Sequence, residues 1–311
     1  MTAHSLCTVL LAGSAVFPIA AQNDSGIPGT PVRTVVTVEA KKKGPRPDVS
    51  MQDVQAYEGR TRDQVTGWVH LTGGHASLEL LILLDDASGT DLGVQLNDIR
   101  DFINAQPQTT AIGVGYMFNG TVAFTSNFTT NHQQAAASLR LPLGRAGING
   151  SPYFSLSDVI RRWQPGGAER REVLMVTDGI DRYAIGTGLE DPYVDEAISN
   201  AQKAGIIVYS IYLHAMGHFG HSFWLNNWGQ NLLSQTSEET GGESFWIGFG
   251  NAVSFKPFLD DLASRLNGGQ FMAMIVAQPK DKAELRRIRL VTEVPNADLA
   301  YPNRIWVPAG K

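Results

Sequence analysis

Residues Leu78 to Thr90 read LELLILLDDASGT. Seven residues, apolar except for Glu79, run straight into two aspartates, a serine, a glycine and a threonine. A short apolar run bounded by turn residues reads as a strand buried on both faces, as in a parallel sheet. The polar cluster then falls at the carboxyl edge of that sheet, where open α/β sheets bind their ligands. Asp86, Ser88 and Thr90 form D-x-S-x-T, a spacing that brings one carboxylate and two hydroxyls toward a point above the strand. Oxygen-only ligands of this kind suit a hard cation such as Mg2+ better than zinc or copper.

Outward from this strand, strands and amphipathic helices alternate from Leu78 to about Gly268, which predicts a doubly wound, mainly parallel α/β sheet with helices on both faces. Asp91 to Ala105 sets Leu92, Leu96, Ile99 and Ile103 on one helical face. Thr110 to Tyr116 and Gly120 to Asn127 read as strands joined by a tight Asn119-Gly120 turn. Helices are expected over Pro152 to Trp163, Val194 to Ala204, Trp224 to Thr240 and Phe258 to Leu266. Buried strands are expected over Glu172 to Thr177 and Ile206 to Leu213, with a further strand over Glu243 to Phe249.

The two flanks are β-rich. Before the α/β unit, short strands of an antiparallel kind are expected between Val32 and Leu71. After Gly269 they return at Gln270 to Ala277, Leu285 to Glu293 and Leu299 to Val307. About three strands a side are too few to bury a face alone, so the flanks are expected to join as one small β-sandwich with the α/β unit inserted between them. The divisions expected are residues 33–75 (first flank), 76–268 (α/β unit) and 269–311 (second flank).

The first 21 residues resemble a secretory signal, with an apolar segment from Leu6 to Phe17 and small residues up to Ala21. The first five residues hold no Lys or Arg, so a short membrane anchor is the other reading of this segment. Residues 22–32 read as a flexible lead-in. The sole cysteine, Cys7, lies in the leader, so the mature chain forms no disulfide and has no thiolate metal ligand. Export to a periplasmic or extracellular location, with no integral membrane span in the mature chain, is the expectation. The net charge of −5 argues against a nucleic-acid partner, which would favour a basic stripe.

LLILLDDASGT, NGSPYFSLSDVI, VLMVTDG and NLLSQTSEETGGESFW together resemble the von Willebrand factor A family. The flanking VRTVVTVEAKKKGPRPDVSMQDVQAYEG and LRRIRLVTEV are similar to the flanks of family relatives first noticed in acidobacteria. The resemblance implies a metal-ion-dependent adhesion site holding Mg2+ (or Mn2+ or Ca2+), its shell completed by an Asp or Glu carboxylate of a partner protein. On this chain the implied ligands are Asp86, Ser88, Thr90, Ser151 and Asp178. Thr90 and Ser151 are Ser/Thr exchanges relative to the family pattern, and Ser155 and Ser157 compete with Ser151 for its place. Asp85 is expected to support the ligands from behind or to be structural.

Other readings stand beside this one. Asp178-Gly179 is also a common turn after a strand, and Asp85 and Asp86 are also apt to cap the helix that begins near Asp91. An aspartyl phosphotransferase wants D-x-D, with the second acid as general acid/base, and Ser88 stands where that acid belongs. His214, His218 and His221 have the composition of a zinc site, yet they sit in a glycine-rich aromatic loop without an evident base. With Phe219 and Trp224 they read instead as a partner-contacting loop, with core packing of the aromatics as the equal alternative. The sequence therefore points to an exported protein-binding module, not an enzyme. A metal-independent scaffold protein of the cell envelope is the alternative.

Overall fold

A computed structural model describes residues 29–310 apart from 89–91, 145–149, 165, 186–190, 215–220, 247, 249 and 251. The leader and most of the lead-in lie outside the described residues. Among the described residues no helix is long and apolar enough to cross a membrane.

Strand β4 (Leu78–Asp85) is central to a six-stranded sheet with β5 (Thr110–Phe118), β6 (Thr121–Thr129), β7 (Arg170–Thr177), β8 (Ile206–Tyr212) and β9 (Ser244–Phe245). The order is β6-β5-β4-β7-β8-β9. All neighbours are parallel except β5 and β6. Those two form a hairpin whose turn residues, Asn119 and Gly120, both have positive φ (51° and 74°), as the Asn-Gly turn demands.

The apolar run of β4 is explained by its two cores. Leu80, Ile82 and Leu84 face helices α1 (Leu92–Ala105), α2 (His132–Ala137) and α6 (Lys256–Leu266). Leu81 and Leu83 face α3 (Pro152–Arg162), α4 (Pro192–Ala204) and α5 (Phe223–Thr240). Alternate side chains of one strand thus enter opposite layers, and neither face reaches water. Glu79, the one polar residue of the run, accepts a hydrogen bond from the Trp163 indole (2.8 Å).

Helix ends follow local chemistry. Ser151 caps α3, Asp191 caps α4 and Ser222 caps α5, each accepting a bond from the first turn. Gly205 and Gly241 close α4 and α5 in the left-handed region, which suits a residue without Cβ. Helix α2 was not expected; its run His-Gln-Gln-Ala-Ala-Ala is too short to display a helical apolar period.

The flanks meet edge to edge. Strands β1 (Thr30–Ala40), β2 (Val54–Glu58) and β3 (Thr61–His70) interleave with β10 (Gln270–Ala277), β12 (Arg289–Thr292) and β13 (Ala297–Ala300). They form one antiparallel sheet in the order β12-β2-β3-β10-β1-β13. A separate ribbon of β11 (Glu284–Arg287) and β14 (Arg304–Val307) lies against it, with Ile305 and Val307 on Val36, Ala273 and Ile275. On the opposite face Val35 and Met272 enter the core of the α/β unit. Placing six of the eight flank strands in one ladder leaves one face for the α/β body and one for the ribbon. The two long strands expected in the second flank are each broken, at Ile288 and at Tyr301-Pro302, because each half serves a different sheet. Pro302 has no N–H to continue a ladder.

The junction between the two sheets holds a buried polar cluster. Arg170 and Glu172 of β7 pair at 3.2 Å with almost no exposure. Gln270 of β10 donates to Glu172 (3.2 Å) and to the Tyr209 hydroxyl of β8 (3.1 Å). Arg170 also donates to the Leu266 and Ala76 carbonyls.

Candidate functional site

The chain leaves β4 to run out through β5 and β6, then returns to β7 on the other side of β4. The carboxyl ends of β4, β5 and β7 therefore frame the switch point at which α/β sheets hold ligands. Asp85, Gly150, Ser151, Ser155, Arg182 and the Asn119-Gly120 turn line a shallow cleft there.

Asp85 and Asp86 are consecutive and face opposite ways. Asp85, the last residue of β4, accepts from the Thr177 hydroxyl of β7 (2.7 Å) and from the Ala87 N–H (2.8 Å). Burial and, after it, the negative charge of Asp178 push its carboxyl up to about 6, against the opposing pull of Arg182 and of the bonds from Thr177 and Ala87. Asp86 turns toward the segment after α2. Arg140 lays its fork on both Asp86 oxygens (2.7 and 3.2 Å), and the Leu143 N–H adds a bond to Oδ1 (2.9 Å). The Arg140 guanidinium lies 3.8 Å from the centre of the Tyr116 ring. The Tyr116 hydroxyl donates to the Arg140 carbonyl (2.6 Å).

Asp178, just past β7, is held by the Ile180 N–H (2.9 Å) and by the fork of Arg182 (2.5 and 3.3 Å). The turn after it needs glycine. Gly179 has φ of 69°, and a Cβ there would stand 2.4 Å from the Gly229 carbonyl; one on Gly229 would stand 2.3 Å from the Asp178 carbonyl. Helix α5 is thus seated directly on the end of β7, backbone against backbone. Ser151 caps α3 and donates to Asp181 (2.9 Å), and the Arg182 N–H bonds the Gly150 carbonyl (3.3 Å), tying the two loops together. The Ser88 hydroxyl donates to the Asp85 carbonyl.

A divalent ion at this edge needs carboxylate and hydroxyl oxygens turned to one point. Asp86, Ser88, Ser151 and Asp178 are not so arranged: each is engaged with a different group of the chain itself, and both carboxylates carry an arginine fork. Thr90 lies outside the described residues. Among the described residues no three acidic, histidine or cysteine side chains gather as a metal site. In this arrangement the two carboxylates of the donor set read from the sequence, Asp86 and Asp178, offer their oxygens to arginine. Asp85, read from the sequence as a supporting or structural residue, is the strand-end carboxylate that shares the cleft with Ser151 and Arg182. Its register opposite Thr177, one residue before Asp178, follows from extending the β4–β7 ladder by one step. Arg182 had a local signal, four residues beyond Asp178 in TDGIDR; Arg140, 54 residues from Asp86, had none.

Of the aromatic loop, His218 and Phe219 lie outside the described residues. His214 meets the Tyr212 ring edge to face at 6.5 Å. His221 is exposed just before α5. Trp224, half exposed, stacks on the buried Trp228 at 5.7 Å.

Fold and site together define a doubly wound α/β unit with a carboxylate–arginine cleft at its switch point. No family model matches the chain, and neither does any curated protein. Among solved structures it is similar to an aerotolerance-related membrane protein from Bacteroides fragilis, at 14% identity over 61% of this chain and 98% of that one, with a TM-score of 0.43. It is also similar to BatB from Bacteroides thetaiotaomicron, at 13% identity over 61% and 97%, with a TM-score of 0.41. The SpRpn10 von Willebrand A domain is similar at 14% identity over 61% and 97%, with a TM-score of 0.38. Likeness at this level concerns the course of the chain and says nothing of what it binds.

Proposed function

We propose that this chain is a protein-binding module, not an enzyme, whose partner sits on the carboxyl edge of the α/β sheet. One observation carries the reading. Among the described residues, most of the large apolar side chains that stay exposed belong to the loops of this edge. They include Phe118 at the end of β5, Leu141 and Leu143 beside Asp86, Tyr183 after β7, Phe223 and Trp224 at the start of α5, and Trp246 and Val253 after β9. Val253 is 95% exposed. Apolar groups gathered on one side of a soluble body mark an interaction surface, and a rigid sheet edge is a common support for one. The leader-like first 21 residues support an exported location.

The D-x-S-x-T spacing supports a version in which Mg2+ (or Mn2+) bridges the edge to a partner's carboxylate. The arginine forks on Asp86 and Asp178 support the version without metal, in which the partner meets the edge directly. The test is a photo-reactive residue placed at Val253 or, as a control on the flank, at Val291. Cross-linking is done in extracts of the source organism, with and without a chelator. The reading expects a discrete product at Val253 that persists in chelator and vanishes with Trp224→Asp. Equal products at both positions, or none at Val253, refute it.

A further inference from the structure

Two carboxylates lie buried at the ends of neighbouring strands at the switch point, close enough for their charges to act on each other: Asp85 at the end of β4, and Asp178 one residue past β7. Like charges so placed repel, and burial magnifies the repulsion, so the pair requires a cation close by. The chain carries one. Arg182 is largely covered, with its side chain 15% exposed, and its two terminal nitrogens meet the two oxygens of Asp178. Its charge also acts on Asp85. The left-handed turn at Gly179 folds the chain back so that a side chain four residues on can reach Asp178, and the Arg182 N–H is fixed to the Gly150 carbonyl. A planar, permanently charged fork matches a carboxylate in two bonds where an ammonium offers a point charge. A third acid of the edge, Asp86, is met in the same way by Arg140.

We infer that the Arg182 guanidinium is the resident cation of this edge, taking the role that a divalent ion would otherwise have for Asp85 and Asp178, so that the native chain needs no Mg2+ or Mn2+. Removing the guanidinium uncovers two adjacent carboxylates and turns a metal-blind edge into one that responds to divalent ions. This rests on the metal-free version of the protein-binding reading and deepens it by naming the group that stands in place of an ion; no partner enters the argument.

The experiment titrates Mn2+ alone into the full chain, following the free-ion signal by electron paramagnetic resonance and the thermal midpoint in parallel. Wild type is compared with Arg182→Ser, Arg182→Lys, Arg182→Gln and the double variant Asp178→Asn/Arg182→Ser. Wild type is expected to leave the free Mn2+ signal and its own midpoint unchanged at millimolar metal. Arg182→Ser is expected to have a lowered midpoint that Mn2+ restores, with affinity at least about tenfold above wild type. The double variant is expected to lose that response. Uptake of Mn2+ by wild type that disappears with Asp85→Asn overturns the inference. So does an Arg182→Ser chain as stable as wild type and blind to the metal. Should Arg182→Ser fail to fold, the lysine and glutamine variants decide. Folding retained by Lys and lost by Gln supports a resident charge, and equal behaviour of the two refutes it. Failure of the partner reading would show only in the cross-linking at Val253, with these titrations unchanged.

Discussion

Replacing Glu172 by glutamine should flatten a fall in the protein's stability between about pH 4.5 and about pH 7. Glu172 is fully buried where the α/β sheet meets the flank sheet. Burial pushes its carboxyl from 4.5 up to about 7, against the pull of the Arg170 charge and of hydrogen bonds from Gln270 and Tyr209. A carboxyl group raised on folding holds its proton more tightly in the native state than in the unfolded one. Its stabilising contribution is therefore complete below about pH 4.5 and is lost as the pH climbs through about 7. A displacement of this size, at about 1.4 kcal/mol per pH unit, amounts to about 3 kcal/mol between about pH 5 and pH 8. Glutamine keeps the shape and the acceptor oxygen but cannot ionise, and the loss of a partner for Arg170 weighs on it at both pH values. Urea unfolding of wild type and Glu172→Gln at the two pH values isolates the difference. The gap between the two proteins should move by about 3 kcal/mol in favour of glutamine as the pH rises. At typical urea slopes this is roughly a one-molar change in relative midpoint. Parallel pH dependence in the two proteins would refute the argument, for it would mean that Arg170 holds the carboxylate ionised throughout.

Three further expectations test the edge. Gly229→Ala drives a methyl group into the Asp178 carbonyl and should cost roughly 1–3 kcal/mol in urea unfolding; a neutral result would show that α5 does not rest on that turn. Asp86→Ala leaves the Arg140 fork with the Leu141 carbonyl and the Tyr116 ring alone, and should cost about 1–3 kcal/mol at neutral pH. Stability equal to wild type would show that the pair does not form in solution. Trp224→Ala and Val253→Asp should leave stability within about 0.5 kcal/mol of wild type while abolishing the cross-linked product at the edge. A loss of stability matching the loss of cross-linking would assign these side chains to the core instead.

Much of this molecule is written locally. The run from Leu78 to Leu84 can be buried on both faces only in a covered sheet, and the Asp-Asp-Ala-Ser that follows can stand only at its edge. Ser151-Pro152 marks a helix start, Gly205 and Gly241 mark helix ends, and Asn119-Gly120 marks a hairpin; the helix expected from Val194 begins two residues earlier, at Pro192, behind its Asp191 cap. In each case the signal is a periodicity or a backbone preference confined to a few residues, so it survives without knowledge of the rest of the chain. The split of the second flank at Ile288 and Tyr301 was less legible, because a β-rich run does not say which of two sheets each half will join.

Tertiary structure alone decided the chemistry of the edge. Both Asp85 and Asp86 are visible as carboxylates at the end of a strand, but the pleat of β4 and its register with β7 determine that Asp85 faces Thr177 while Asp86 faces the segment after α2. Arg140 reaches Asp86 across 54 residues, a distance at which sequence spacing carries no information. Arg182 lies only four residues from Asp178, yet its reach depends on a left-handed turn at Gly179 that α5 enforces by resting Gly229 against it. Spacing supplies candidate oxygens; the directions in which neighbouring strands and loops turn them decide whether those oxygens meet a metal ion or an arginine of the same chain.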